Sequence, residues 1–420
     1  MDYTKLHFAT RQIHAGLDKD DKTCARGLAI YPTAAYRFPT CDYAARLFDL
    51  SAGGNIYTRL MNPTTSAYEE RVAALYGGVG ALATSSGMSA VVLTVTSLAS
   101  QGENIVVSPL LYGGTYNLYR HTLHRLGVDV RIASSTDPEA FEALVDEGTR
   151  AIYAESMGNP TCYVPDLEGL ASVAHRYNVP LVIDNTFGAD IIVDSATKWI
   201  GGHGTTMGGI IVDSGHFDWV ASGRFPHIAG PDDGYHGLNL CDAFGKAAFI
   251  AKCRVDGMRD FGVCPSPFDS YLLALGVETL ALRVRHQVQS AQRLALYFKK
   301  HPKVRAVSYV GFEDHPGHAN AAKYFRDGLG AVLCVELRGT LQTTINFVES
   351  LQLVVHETMI GDSITAVSHP ASTTHRQLSE SDLIAAGVTP TLLRLSPGLE
   401  DVEDIIADFE QAFSNIDFDE

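Results

Sequence analysis

The 420-residue chain has no basic surplus: 32 Lys and Arg stand against 48 Asp and Glu, a net charge of −16 with neutral His. Without cations to neutralise a phosphate backbone, nucleic acid is not an expected partner. No run of 18 or more apolar residues occurs, and the opening MDYTKLHFATRQIHAG is polar where a secretory leader carries an apolar block. The expectation is a soluble, cytoplasmic protein with no membrane contact. The seven cysteines are odd in number and include no C-x-x-C; neither a disulfide framework nor a zinc knuckle is encoded, and most should be buried small hydrophobes. The sixteen His include no H-E-x-x-H, and His369 and His375 miss the i, i+4 spacing of one helical face, so no metal is expected. Common phosphate loops are missing as well. GGHGTTMGG closes without Lys-Ser/Thr, and GGVGAL at 77–82 lacks the third glycine of a dinucleotide fingerprint.

What is present is a globular composition, 46% hydrophobic and 19% charged, which can bury a large core. Length alone sets a prior of about two to three domains. SAYEERVAALY at 66–76 has helical periodicity, Ser66 as a cap and Gly77-Gly78 as a stop. A second helix, 87–100, is entered through Ser85-Ser86-Gly87. Short apolar strands then alternate with helices: 104–109, a helix at 115–126, 128–133, a helix opened by Pro138, 150–156, a helix at 166–178, 180–185 and 190–197. That alternation predicts an α/β fold with a mainly parallel sheet covered on both faces. Ligands of such sheets bind beyond the carboxyl ends of the strands, where Ser108, Glu155, Asp184 and Thr197 fall. Beyond 213 the pattern predicts a Gly-, Pro- and His-rich loop over 214–238, a long helix over 267–300, and a smaller domain.

The chemistry concentrates in LVIDNTFGADIIVDSATKWIGGHGTTMGGI, 181–210. Asp184 and Lys198 each follow an apolar strand and should emerge at one sheet edge. Ser195, Thr197 and a glycine-rich turn offer hydroxyls and backbone amides to a phosphate. A partly desolvated amine forms a Schiff base with an aldehyde, and a buried carboxylate keeps a pyridine nitrogen protonated. Taken singly, such a Lys is ordinarily a solvated loop residue and such an Asp a turn former; together they point to pyridoxal phosphate. Glu155 and His203 read as turn-shaping residues.

These segments, with YTRLMNPT, SSGMSA, LYGGTY, GNPTCYVPD and HPASTTH followed by LLRLSPGLE, resemble in the same order the motifs of the Cys/Met-metabolism family of pyridoxal-phosphate enzymes (fold type I). Within it the chain is most similar to the O-acetylhomoserine sulfhydrylase branch. The resemblance implies an aspartate-aminotransferase-like fold: a seven-stranded, mainly parallel sheet in a large domain plus a smaller C-terminal α/β domain. It places an arm at 1–60, the large domain at 61–258 and the C-terminal domain at 259–420. Lys198 would hold the cofactor and shuttle protons, Asp184 would meet the pyridine nitrogen, Tyr112 would stack on the ring and Asn159 would reach the ring hydroxyl. Ser86, Gly87, Met88, Ser195 and Thr197 would form the phosphate cup. Tyr57 and Arg59 would serve a neighbouring subunit's site, implying a homodimer or homotetramer. Arg394, assisted by Ser372 and Tyr57, would hold the carboxylate of an amino-acid substrate.

The implied reaction is γ-replacement on O-acetyl-L-homoserine, with sulfide giving L-homocysteine and acetate. Gly114 stands where methionine-degrading relatives carry cysteine, which favours synthesis. A fungal biosynthetic enzyme adding a carbon or nitrogen nucleophile, of fusaric-acid or pipecolate type, or a catalytically silent scaffold stays open. Two departures bear on this. Between Phe187 and Ala189 only Gly188 stands where the family has about a dozen further residues, too short a link for parallel neighbouring strands. Pro397 removes a backbone donor near Arg394.

Overall fold

The computed structural model describes residues 3–17, 24–159, 161–184, 189–374, 376, 383 and 387–416. Seven strands form the main sheet: β1 (Gly80–Thr84), β2 (Asn104–Val107), β3 (Asp129–Ile132), β4 (Thr149–Glu155), β5 (Leu181–Asp184), β6 (Ile191–Asp194) and β7 (Gly209–Asp213), in the order β1-β7-β6-β5-β4-β2-β3. Strands β6, β5, β4, β2 and β3 are parallel, and β7 runs antiparallel to both its neighbours. The strands are apolar at successive positions because both faces are covered. Ile105 and Val107 enter one core cluster and Val106 the other, and Ile211 lies opposite Ile210 and Val212 in the same way.

A two-stranded ribbon, β8 (Pro231–Asp232) with β9 (Leu238–Asn239), interrupts the predicted loop over 214–238, which also contains short helices at Trp219–Ser222 and Pro226–Ala229. The second sheet comprises β10 (Val304–Ser308), β11 (Leu333–Leu337), β12 (Val355–His356), β13 (Ala366–Ser368) and β14 (Leu392–Ser396), ordered β10-β11-β14-β13-β12 around its own core. Among the described residues no helix is long and apolar enough to cross a membrane.

Several elements differ from their sequence reading. The first long helix spans Pro63–Tyr76, three residues earlier than expected; Asn62, not Ser66, caps it, its side chain accepting from Thr64 N–H at 3.0 Å. Pro63 at the first helical position has no N–H to leave unsatisfied. Gly77 closes the helix at φ 70°. The helix expected over 267–300 breaks into Pro267–Glu278 and Leu280–Lys300. Arg283 Nη2 takes the Gly276 carbonyl at 2.7 Å, and its Nε donates to Thr279 Oγ1 at 3.2 Å. Of the cysteines only Cys162, Cys253 and Cys334 are buried, while Cys24 and Cys41 are exposed.

The strands on either side of the short link also pair differently from the expectation. Strands β5 and β6 are parallel neighbours, with Val182 opposite Ile191 and Asp184 opposite Val193. Residues 185–188 lie outside the described residues. Asp190 sits beside the start of β5, where its carboxylate accepts Leu181 N–H at 2.8 Å. Extended residues advance about 3.3 Å each, so reach does not forbid the return from Asp184. What the link has no length for is the crossover helix that such connections ordinarily carry.

Candidate active site

The carboxyl ends of β4, β5 and β6 open onto a cavity of about 330 Å³ between the two sheets. One corner is built around a helix N-terminus. Ser86 caps the helix Gly87–Leu98, accepting Ser89 N–H at 3.1 Å, which leaves the first-turn amides directed at the cavity. A Cβ on Gly87 would lie 2.7 Å from Ser195 Cβ, and one on Gly209 would lie 2.1 Å from the Ser86 carbonyl oxygen. Only glycine at both positions lets these backbones interlock. Thr197 Oγ1 bridges the Gly208 carbonyl (3.1 Å) and amide (3.0 Å) and closes the cup. Met88 lines it as well.

The turn that follows presents Lys198. Its backbone N–H donates to Ser195 O at 2.9 Å, and its carbonyl accepts Gly202 N–H at 2.7 Å. The turn is held from behind by Gly276, where a Cβ would come within 2.4 Å of the Ile200 and Gly201 carbonyl oxygens. Burial, and then the charge of Arg394, lower the Lys198 ammonium from its ordinary pKa. Its Nζ meets Met359 Sδ at 3.2 Å.

Facing the same space is Asp184, hydrogen-bonded by Tyr153 Oη at 3.1 Å. It stands beside two further buried acids: Glu155, its register partner on β4, and Asp194 at the end of β6. Burial, then the Asp194 charge, raise the Asp184 carboxyl; burial, then Asp184, push Glu155 well up; burial lifts Asp194 to about 6. Three carboxyls crowded into one place keep their protons more readily unless a cation joins them. Glu155 therefore belongs to the cavity rather than merely shaping a turn: its Oε1 accepts Tyr112 N–H at 2.5 Å and fixes the base of the exposed Tyr112 ring. Neither its depth nor that of Asp194 had a sequence signal beyond the acid-after-apolar-run pattern that selected Asp184.

Opposite the cup, Arg394 on β14 is 5% exposed. It donates to Asn159 Oδ1 at 3.2 Å and to the Thr358 carbonyl at 3.0 Å. Among the described residues no carboxylate pairs with it, and burial lowers its pKa. A buried guanidinium without an anion is an anion-binding group. Pro397 follows the last residue of β14, outside the ladder that sets Arg394.

Three residues with implied roles lie elsewhere. Ser372 Oγ meets His369 Nδ1 at 2.8 Å. Tyr57 and Arg59 are exposed, with the guanidinium 5.3 Å from the tyrosine ring, and neither lines this cavity. His203 Nδ1 meets the Gly201 carbonyl at 2.7 Å, and His375 lies outside the described residues.

The donor set fits pyridoxal phosphate: an anion cup at a helix N-terminus, a desolvated amine, and a buried acid with raised pKa in one cavity. A family model described as Cys/Met metabolism PLP-dependent enzyme matches residues 9–414. Homocysteine synthase of Schizosaccharomyces pombe is 48% identical, covering 97% of this chain and 98% of its own. O-acetyl-L-homoserine sulfhydrylase 1 of Thermus thermophilus is 46% identical, covering 97% and 100%. A Campylobacter jejuni crystal structure with N'-pyridoxyl-lysine-5'-monophosphate in its chain superimposes with a TM-score of 0.94 at 33% identity, covering 98% and 100%.

Proposed function

The chain belongs to the Cys/Met-metabolism family of pyridoxal-phosphate-dependent enzymes, and from that premise we propose that it catalyses γ-replacement on O-acetyl-L-homoserine, with sulfide displacing acetate to give L-homocysteine. The observation that carries this reading is the convergence on one cavity of Lys198, Asp184 and Arg394, which no carboxylate among the described residues pairs with. The names of the relatives favour sulfide over a carbon or nitrogen nucleophile. Bound pyridoxal phosphate supplies the electron sink for carbanion chemistry next to the substrate amine.

The chain's own residues do the rest. The helix start at Ser86 and Gly87, with Met88, Ser195 and Thr197, would hold the phosphate. Asp184 would serve the ring nitrogen, Tyr112 the ring face and Asn159 the ring hydroxyl. Arg394 fixes the substrate carboxylate, so that Lys198 Nζ can take the proton from Cα and then move protons at Cβ. The Cγ–O bond breaks with its electron pair leaving on acetate, and hydrosulfide sulfur forms the new Cγ–S bond. We take Tyr57, Arg59 and Ser372 to act in a homodimer or homotetramer in which the arm at 1–60 reaches a second copy's cavity. The large domain is then 61–258 and the C-terminal domain 259–420. Seven cysteines with no disulfide among them suit the cytoplasm, where we place the enzyme.

Incubation with O-acetyl-L-homoserine and sulfide should yield acetate and homocysteine in equal amounts. Borohydride reduction followed by peptide mapping should find the pyridoxyl group on Lys198, and Lys198→Ala should be colourless and inactive. An active Lys198→Ala would remove the assignment, and release of acetate without sulfide incorporation would replace the transferase with a lyase.

A further inference from the structure

Tyr153 lies on β4 two residues before Glu155 and on the same face of the sheet, directly opposed to Val107 on β2 and Val182 on β5. It is 1% exposed and packs in the apolar cluster between the sheet and the helix Gly87–Leu98. The Tyr119 ring is set edge-on against it, with centroids 5.2 Å apart and planes at 89°. A phenylalanine would fill this place with no hydroxyl to desolvate, and a buried hydroxyl is costly unless it is bonded. The bond that this one makes is to Asp184 Oδ2, to which it donates at 3.1 Å. Among the described residues no other side chain donates a hydrogen bond to that carboxylate. Burial holds the Tyr153 proton well above its ordinary pKa, so the hydroxyl is a donor throughout the neutral range. The other ionisable groups around Asp184 are Glu155 on β4, Asp194 on β6, Tyr119 and Tyr76. All are acids. Burial and Asp194 favour a proton on Asp184, and the Tyr153 hydroxyl, bonded to the charged form, opposes them.

We propose that Tyr153 is a positioning residue for the cofactor: its hydroxyl holds one oxygen of Asp184 in the charged form, leaves the other for the pyridine nitrogen, and so keeps the proton between them on the ring. The inference rests on the role proposed for Asp184. One proton is shared across such a contact and nothing else is transferred. With the proton on the ring the pair is pyridinium and carboxylate; with the proton on the acid it is pyridine and carboxylic acid. The pyridinium form is the one that draws electrons. A donor on the carboxylate favours that form by stabilising the charged acid, whereas burial favours the neutral pair. Deleting the Tyr153 hydroxyl therefore moves the balance towards the neutral pair while leaving the ring-shaped space in the core filled.

The test reconstitutes the enzyme with pyridoxal phosphate carrying nitrogen-15 in its ring and reads the pyridine resonance near neutral pH. Asp184→Asn removes the acid and marks the unprotonated end of the scale. Tyr153→Phe should move the resonance from the protonated value towards that end and weaken cofactor binding about ten-fold. Its kcat for O-acetylhomoserine with sulfide should fall about ten-fold, with KM within about two-fold of the parent. Ile105→Ala opens a void in the same apolar cluster and should lower the melting temperature without moving the resonance. A Tyr153→Phe resonance that stays with the parent, or a shift that Ile105→Ala matches, overturns the proposal. Tyr153→Met repeats the deletion if Tyr153→Phe does not fold, and the same outcomes decide it. An unmoved resonance in Asp184→Asn removes the role of Asp184 and the proposal with it, whereas a shift there and none in Tyr153→Phe defeats Tyr153 alone. Neither resonance nor cofactor affinity requires O-acetylhomoserine, so a parent that fails to turn it over defeats only the proposed function.

Discussion

Tyr112 is set from two sides: Glu155 holds its amide, and Gly114 leaves room for its ring. A Cβ at position 114 would lie 2.5 Å from Tyr112 Cε1, so Gly114→Cys must displace the ring. The ring is 43% exposed and can swing outward, which keeps the stability change within about 1 kcal/mol. The displaced ring no longer packs where the cofactor ring is proposed, so kcat/KM should fall about ten-fold or more. Steady-state kinetics alongside thermal unfolding check this, and an unaltered kcat/KM would show that the ring position is irrelevant. The roles of Gly114 and Glu155 differ in how far they could be read from residues alone. Asp184 and Lys198 are marked by acid or amine following an apolar run, and Gly114 by its motif. Glu155 carries the same mark as Asp184, yet its function depends on β4 pairing with β5, a contact between segments 29 residues apart that no local pattern reports.

At the scale of elements, the helix Pro63–Tyr76 shows how a cap can also anchor a distant segment. Asn62 is fully buried, and besides capping Thr64 its Nδ2 donates to the Tyr31 carbonyl at 2.9 Å and to Thr58 Oγ1 at 3.1 Å. Asn62→Ala should therefore cost about 2–3 kcal/mol, more than a bare cap, because buried acceptors lose their donor as well. Ser66→Ala should change stability by less than about 0.5 kcal/mol. Urea unfolding at fixed protein concentration distinguishes them, and equal losses at the two positions would contradict the cap assignment. The periodicity of 66–76 located the helix but not its start, because Asn-Pro at 62–63 reads equally as a turn. The alternation of strands and helices likewise made the main sheet legible. The break at Thr279 was not, since it arises where Arg283 captures the Gly276 carbonyl about two turns back, and the β5–β6 pairing contradicted a length rule that concerns crossover helices rather than reach.

The whole molecule carries a net charge of −16, and part of its acid content is buried without a cation among the described residues. Asp213 at the end of β7 is fully buried and its carboxyl is lifted to about 7, by burial first and by Asp190 nearby. The unfolded chain releases that proton near pH 3.9. Between the two values the folded state binds more protons than the unfolded one, so the stabilising contribution is complete below about pH 4 and is lost as pH rises through the folded value. From pH 5.5 to 8 a group at about 7 loses about 2 kcal/mol, and Asp194 at about 6 about 1 kcal/mol. His175, raised by its hydrogen bond to Asp190, acts in the same direction. Asp213→Asn leaves the acceptor of Gly215 N–H, whose donor distance is 2.8 Å, while removing the titration. Relative to the parent, the variant should therefore gain about 2 kcal/mol in urea unfolding free energy between pH 5.5 and pH 8. Titrations other than those of the neighbouring Asp190 and its partner His175 cancel in that comparison, because Asp213 lies at the end of β7 beside the start of β6, away from the cavity residues. A difference between variant and parent that stays constant across this range would mean that Asp213 is already ionised in the folded protein.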